Sequence, residues 1–158
     1  MLIYYIETSI PSFYHDTRTQ PQIQAMREWT KQWWDMSKPD TLLVTGQPVF
    51  QELSKAPNPK KELGLKLMNH LPWLPYSPEI DDIVAIYIKH KIVPNDAMGD
   101  AAHLALASFH KCDFLVTWNC KHLANANKFD HINRINHLLG LFSPKLVTPF
   151  QLLYEGES

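Results

Sequence analysis

Hydrophobic and polar positions follow two regimes along the chain. Short unbroken apolar runs occur at Leu2–Ile6, at Thr41–Thr45, in "DFLVT" (residues 113–117) and in "KLVT" (residues 145–148). Apolar residues at consecutive rather than alternate positions, over so few residues, predict strands buried on both faces. Between these runs apolar residues recur every three or four positions. That period predicts helices over roughly Pro21–Ser37, Pro48–Lys55, Lys60–Asn69, Ser77–His90 and Asp96–His110, a short helix after Asn119, and another over about His131–Leu139. "WLPY" (residues 73–76) reads as a further short strand. Pro21, Pro48, Pro78 and Pro94 each precede or open a helical pattern, where a missing N–H costs nothing, and Ser77 reads as an N-cap.

Strands alternating with helices predict an α/β fold with a parallel sheet covered on both faces. At 158 residues the chain is expected to form one domain. Ligands in open α/β sheets bind outside the carboxyl ends of the strands. Glu7 stands just past the first strand in "YYIETSIPSFY", and "WNCKH" stands just past "DFLVT". Both stretches therefore fall where such folds build their sites.

Composition narrows the reading further. Hydrophobic residues make up 45% of the chain and charged residues 20%, which argues against a disordered or fibrous chain. The formal net charge is −1, from 15 basic and 16 acidic residues, so contact with nucleic acid would need a local patch rather than bulk charge. No cationic segment precedes the first apolar run, so it does not read as a signal peptide, and no stretch approaches the roughly 18 apolar residues of a membrane span. The two cysteines, Cys112 and Cys120, bracket "DFLVT". Five extended residues separate strand ends by roughly 17 Å, against the ~7 Å between α-carbons that a disulfide tolerates. A reduced, cytoplasmic protein is the expectation.

Three helix-borne acids can join Glu7. Glu52 falls about one turn into the helix after the second strand, and long helical side chains lean toward their own amino terminus, back toward the strand ends. Asp100 opens a helix that is otherwise apolar nearly all round, where an unpaired carboxylate would cost several kcal/mol and so wants a cation or a hydrogen-bond partner. Asp96 lies four residues earlier on the same face. An N-cap or first-turn acid is its plainer reading, with metal binding as the alternative. Several oxygen ligands converging from separate strand ends suit magnesium or manganese. The histidines and cysteines show no C-x-x-C or H-E-x-x-H spacing for zinc, and no G-x-G occurs to cradle a phosphate.

"YYIETSIPSFY", "VFQEL", "GDAAHLALAS" and "CDFLVTWNCKHLAN", in that order and spanning nearly the whole chain, resemble the PIN-domain family. These are small metal-dependent ribonucleases that include the toxins of toxin–antitoxin pairs (VapC-like proteins). The resemblance implies a three-layer α/β/α sandwich around a parallel sheet of about five strands, one PIN-like domain over residues 1–158. It implies metal-dependent hydrolysis of RNA phosphodiester bonds with Mg2+ or Mn2+ as cofactor, and RNA, an antitoxin protein and a second copy of the chain as partners. Carried over position by position, Glu7, Glu52 and Asp100 correspond to acidic metal ligands, and Asn119 takes the place of the fourth acid. Ser9 and Thr117 match small hydroxyl positions that support the site. Glu7 replaces the usual aspartate, and Asn119 offers a neutral carbonyl where a carboxylate is expected. A ribonuclease and a catalytically weak or inactive PIN-like module that binds RNA or a protein both remain open. A phosphatase on a similar fold ranks last, because the D-x-D arrangement it needs reads Glu7-Thr8-Ser9.

Carboxylates gathered without their ion repel one another, so some of these acids are expected to titrate high. Lys121 and His122 either contact substrate phosphates or solvate a short helix. His103, on the apolar helix after Asp100, reads as a satisfied core histidine. Met26, Trp29, Trp33 and Met36 recur at helical spacing and read as core, with a docking face as the alternative and Trp34 off the stripe. Lys55, Lys60, Lys61 and Lys66 read as an exposed helix face interrupted by Glu62.

Overall fold

The computed structural model describes residues 1–36, 38–93, 98–121 and 123–154. Its elements are β1 (Leu2–Ile6), α1 (Ser9–Tyr14), α2 (Pro21–Asp35), β2 (Thr41–Val44), α3 (Gln47–Ser54) and α4 (Lys60–Met68). They continue with α5 (Pro78–Lys89), α6 (Met98–Phe109), β3 (Phe114–Val116), α7 (Ala126–Leu139), β4 (Lys145–Val147) and α8 (Pro149–Tyr154). The strands form one parallel sheet in the order β2-β1-β3-β4. β1 is central, pairing Tyr5 with Val44 on one side and with Leu115 on the other.

Neighbouring tyrosines on β1 show why the sheet is covered twice. Successive strand residues point to opposite faces. Tyr4 turns to α2, its ring 6.0 Å from Trp33, and Tyr5 turns to α6, its ring 5.7 Å from His103. Helices α1, α2 and α8 pack together on the Tyr4 side, and α3, α5 and α6 on the Tyr5 side. Helix α7 joins the second group through Asn136, which is hydrogen-bonded to Tyr87 of α5 and Ser108 of α6. The result is an α/β/α sandwich. In α6, Ala101, Leu104, Ala105, Leu106 and Ala107 are fully buried. Each leucine there contributes about 2 kcal/mol through burial, while the alanines let the helix lie close to its neighbours.

Among the described residues the sheet has four strands rather than about five. "WLPY" contributes only an isolated parallel bridge between Thr45 and Trp73, closed by Thr45 N to Pro72 O and Leu74 N to Thr45 O. Pro72 and Pro75 flank that bridge and have no N–H to extend a ladder, so the pairing ends there. Where a short helix is expected after Asn119 the described residues form turns, and the Asn119 carbonyl accepts from both Leu123 N and Ala124 N. Asn125 then caps α7 by accepting from Asn127 N at 2.9 Å, so that helix begins five residues before the expected His131. Cys112 and Cys120 are free thiols. No helix among the described residues is long and apolar enough to cross a membrane.

The strand order places the crevice. From β1 the chain crosses to β2 on one side, and it later returns to β3 on the other side of β1. The connections leaving β1 and β3 therefore diverge to opposite faces, and a cleft opens between their carboxyl ends. Glu7 and the Thr117-Trp118-Asn119 segment border it.

Candidate functional site

Glu7 continues the β1–β3 ladder, its N–H donating to Val116 O, and it is only 5% exposed. Three donors converge on one of its oxygens: Oε1 accepts from Ser9 N at 3.1 Å, from Ser9 Oγ at 2.5 Å and from Thr117 Oγ1 at 2.6 Å. The two hydroxyls are held in turn from the segment that follows β3. Ser9 Oγ accepts from Trp118 N at 2.8 Å, and Thr117 Oγ1 accepts from Asn119 N at 3.0 Å. A carboxylate tied by one oxygen has little rotational freedom left, so the direction of Oε2 is fixed. Oε2 lies 4.0 Å from His103 Nε2.

Glu52 reaches the cleft from α3, as its lean toward the helix amino terminus requires, and its side chain is 41% exposed. Its Oε1 accepts from Thr8 Oγ1 at 3.1 Å and from His103 Nε2 at 2.5 Å. Gly99 allows α6 to approach so closely: a Cβ there would stand 3.3 Å from Glu52 Oε1. A cleft of about 520 Å³ lined by Gln51, Glu52, Lys55, Tyr76, Asp81 and Gly99 opens beside this carboxylate.

His103 is fully buried and hydrogen-bonded, as a core histidine should be, but its partners belong to the site. Nδ1 is 2.8 Å from the hydroxyl of Tyr5, itself fully buried. A carboxylate has no proton to give, so Nε2 carries one and donates it to Glu52. Burial opposes charge on this ring, yet the Glu52 hydrogen bond and the charges of Glu7, Glu52 and Asp100 outweigh it and raise its pKa. Glu52 moves the other way. Burial pushes its carboxyl up, but the hydrogen bond and charge of His103, with Thr8 and Lys55, bring it below the ordinary value. The expected upward titration is thus reversed at Glu52, where the hydrogen bond and charge of His103, with Thr8 and Lys55, outweigh burial.

One ligand atom from each of Glu7, Glu52 and His103 lies within 4.8 Å of the other two, a set that can hold a metal ion. Asp100 lies outside that set. Its Oδ2 accepts from Asn119 Nδ2 at 3.0 Å, so helix α6 and the segment after β3 are joined across the cleft. Lys121 is exposed in the turn beyond Asn119. Asp96 and His122 lie outside the described residues. His103 is the site residue that sequence reasoning left in the core; its spacing of three from Asp100, which puts both on one helix face, was the available signal.

The tryptophan stripe packs within the chain. Trp33 is buried, Trp29 meets Trp118 and Phe150, and Met36 is partly exposed at the end of α2. Trp34 packs against Tyr14 and Trp33. Trp118 Nε1 also donates to Thr30 Oγ1 at 2.8 Å, which anchors α2 to the segment that holds Glu7. Lys60 is partly buried and pairs with Asp16 at 3.6 Å rather than standing on an open face.

A four-stranded parallel sheet of order 2-1-3-4, sandwiched between helices and carrying acidic side chains at its switch point, defines a PIN-like α/β fold. Among solved structures, a chain of VapBC2 from Rickettsia felis, bound to a DNA fragment from their promoter, is similar to this one. The TM-score is 0.50, over 93% of this chain and 98% of that chain, at 16% identity. At that identity the similarity is one of fold. The sequence matches no protein-family model and no curated protein.

Proposed function

We propose that this chain is a metal-dependent endoribonuclease of the PIN type, with Glu7, Glu52 and Asp100 holding Mg2+ or Mn2+. The convergence of Glu7, Glu52 and His103 at the β1–β3 switch point carries the proposal. The donors suit a hard divalent ion: two carboxylates arrive from separate elements, and the charge of Asp100 also acts at the cluster. When bound, such an ion supplies positive charge to the reacting phosphodiester and acidity to water.

The protein groups have separable tasks. Ser9 and Thr117 fix Glu7 so that Oε2 faces the cluster. Asn119 donates to Asp100 and orients it, a task a fourth carboxylate could not perform. Lys121, with His122 beside it in sequence, stands where substrate phosphates would approach. The cleft beside Glu52 gives the RNA strand a route to the carboxylates.

A protein partner fits the same reading. The similar Rickettsia felis chain belongs to an assembly named VapBC2 that binds promoter DNA. By analogy this chain is a toxin that pairs with an antitoxin and with a second copy of itself, working in the cytoplasm.

Cleavage of a mixed RNA pool tests the proposal. With Mn2+ or Mg2+ the protein is expected to cut RNA, and EDTA is expected to stop it. Asp100→Asn is expected to lower the rate by at least about 100-fold, the size of a lost electrostatic stabiliser. His103 and Asn119 favour a second reading, a PIN-like module that binds without cutting, because an imidazole and a neutral amide already engage the carboxylates of Glu52 and Asp100. RNA retained without cleavage in either metal would select it.

A further inference from the structure

We infer that His103 Nε2 is itself a ligand to the divalent ion, and that the site therefore selects Mn2+ over Mg2+. The inference rests on the metal-site reading above and adds a nitrogen to a ligand set that the sequence presented as all oxygen.

Position comes first. His103 Nε2 is 2.5 Å from Glu52 Oε1 and 4.0 Å from Glu7 Oε2, so it points into the space between the two carboxylates. Asp100, one helical turn before it on the same face, is instead engaged by Asn119 at 3.0 Å. Of the two α6 side chains near the cleft, the histidine is the one that completes a compact three-atom set with Glu7 and Glu52.

Second, the ring is built as ligand histidines are built. Ligating imidazoles almost always bond a fixed partner through the other ring nitrogen, which sets tautomer and orientation. Here Nδ1 lies 2.8 Å from the Tyr5 hydroxyl, and both side chains are fully buried on the sheet. In the metal-free protein Nε2 carries the proton it donates to Glu52; an ion would displace that proton to solvent, and the Tyr5 hydroxyl, which can accept as well as donate, supports the ring with its remaining proton on Nδ1 and its Nε2 lone pair facing the ion.

Third, the donor chemistry discriminates between ions. Magnesium takes oxygen ligands and gives up its waters reluctantly, whereas imidazole nitrogen suits the transition metals. Two carboxylate oxygens and one imidazole nitrogen are accepted by Mn2+ and are poor company for Mg2+. Glutamate rather than aspartate at position 7 belongs to the same geometry, because the longer side chain carries Oε2 across to the histidine.

Electron spin-echo envelope modulation of Mn2+ added to the metal-free protein tests this without reference to activity. The expected result is a directly coordinated 14N signal in wild type that persists in His122→Gln and disappears in His103→Gln. In calorimetric titrations His103→Gln is expected to lose at least about 10-fold in Mn2+ affinity, with Mg2+ affinity changed less than about 3-fold. Should His103→Gln fail to fold, the wild-type and His122→Gln spectra still decide. Mn2+ bound without nitrogen coupling, or coupling lost in His122→Gln, would overturn the inference and leave the metal-site reading standing. No Mn2+ binding at all would overturn both.

Discussion

Helix α6 takes part in two buried polar networks of opposite character. Toward its carboxyl end, Ser108 joins a closed and neutral network. Tyr87 donates to Asn136 Oδ1 at 2.5 Å, and Asn136 Nδ2 donates to Ser108 Oγ and Ser143 Oγ, each at 3.1 Å. Donors and acceptors match there, and the network ties α5, α6 and α7 together. Toward its amino end, His103 joins a charged one. Glu7, Glu52 and Asp100 set their negative charges against the single positive charge that His103 can carry. A satisfied neutral network holds a fold together. A network with surplus acceptors facing a cleft stays underneutralised until a cation arrives, and that imbalance separates a site from a scaffold.

Breaking the two networks should therefore give opposite signatures. The largest effect is expected at Glu7. Glu7→Gln keeps the oxygen that Ser9 and Thr117 bind but removes the charge, so RNA cleavage should fall by at least about 100-fold. Its urea unfolding free energy should stay within about 1 kcal/mol of wild type. A Glu7→Gln protein that cuts RNA at the wild-type rate would remove Glu7 from the chemistry.

Asn136→Ala should behave in the reverse sense. The Tyr87, Ser108 and Ser143 hydroxyls would lose a shared buried partner, at a cost of about 2–3 kcal/mol in stability. Activity per folded molecule should not change, which a urea titration paired with a rate measurement would show. Equal losses in both readouts would mean that the two networks are coupled along α6.

The smallest effect sharpens the comparison with a third charged group away from the cleft. Asp16 is buried and bonded to Arg18 through both oxygens, with Lys60 nearby. The hydrogen bonds from Arg18 outweigh burial and hold its carboxyl well below the usual carboxylate range. A folded pKa below the unfolded one stabilises the protein above the unfolded value, near pH 4, and the contribution fades as pH falls through the folded value. Asp16→Asn should lower the urea midpoint at pH 7, and the gap between variant and wild type should narrow steadily below about pH 4. A gap that does not depend on pH would show that the ion pair contributes nothing there.

Much of this architecture was open to reading in the residues. The strands β1 and β3 are unbroken apolar runs with no competing periodicity, and their carboxyl ends locate the cleft without any coordinates. Glu7 was legible because it sits immediately past the first run, whereas Ser9 and Thr117 were singled out through the family resemblance. His103 was not, because its role depends on Tyr5 and Glu52, distant in sequence, and a histidine in an apolar helix resembles core until its partners are known. The pairing of Asn119 with Asp100 is likewise a product of folding. Two short helices were hidden for local reasons. Helix α1 has only six residues, with Pro11 among them. Helix α8 carries a signal that was there to be used: Thr148 Oγ1 accepts from Gln151 N while Gln151 Oε1 accepts from Thr148 N, the reciprocal box of a T-x-x-Q start. The fifth strand failed because Pro72 and Pro75 bracket it, a restraint that outweighs the apolar character of "WLPY".

The most direct test of the cluster as a cation site is thermal unfolding with and without Mn2+, in wild type and in Glu7→Gln. An ion binding the folded state at a hundred times its dissociation constant adds about 2.7 kcal/mol, or about 5–10 °C for a chain of this length. The wild type is expected to gain that shift and Glu7→Gln to lose most of it. No shift in wild type, or the same shift in both, would contradict a metal centre at Glu7.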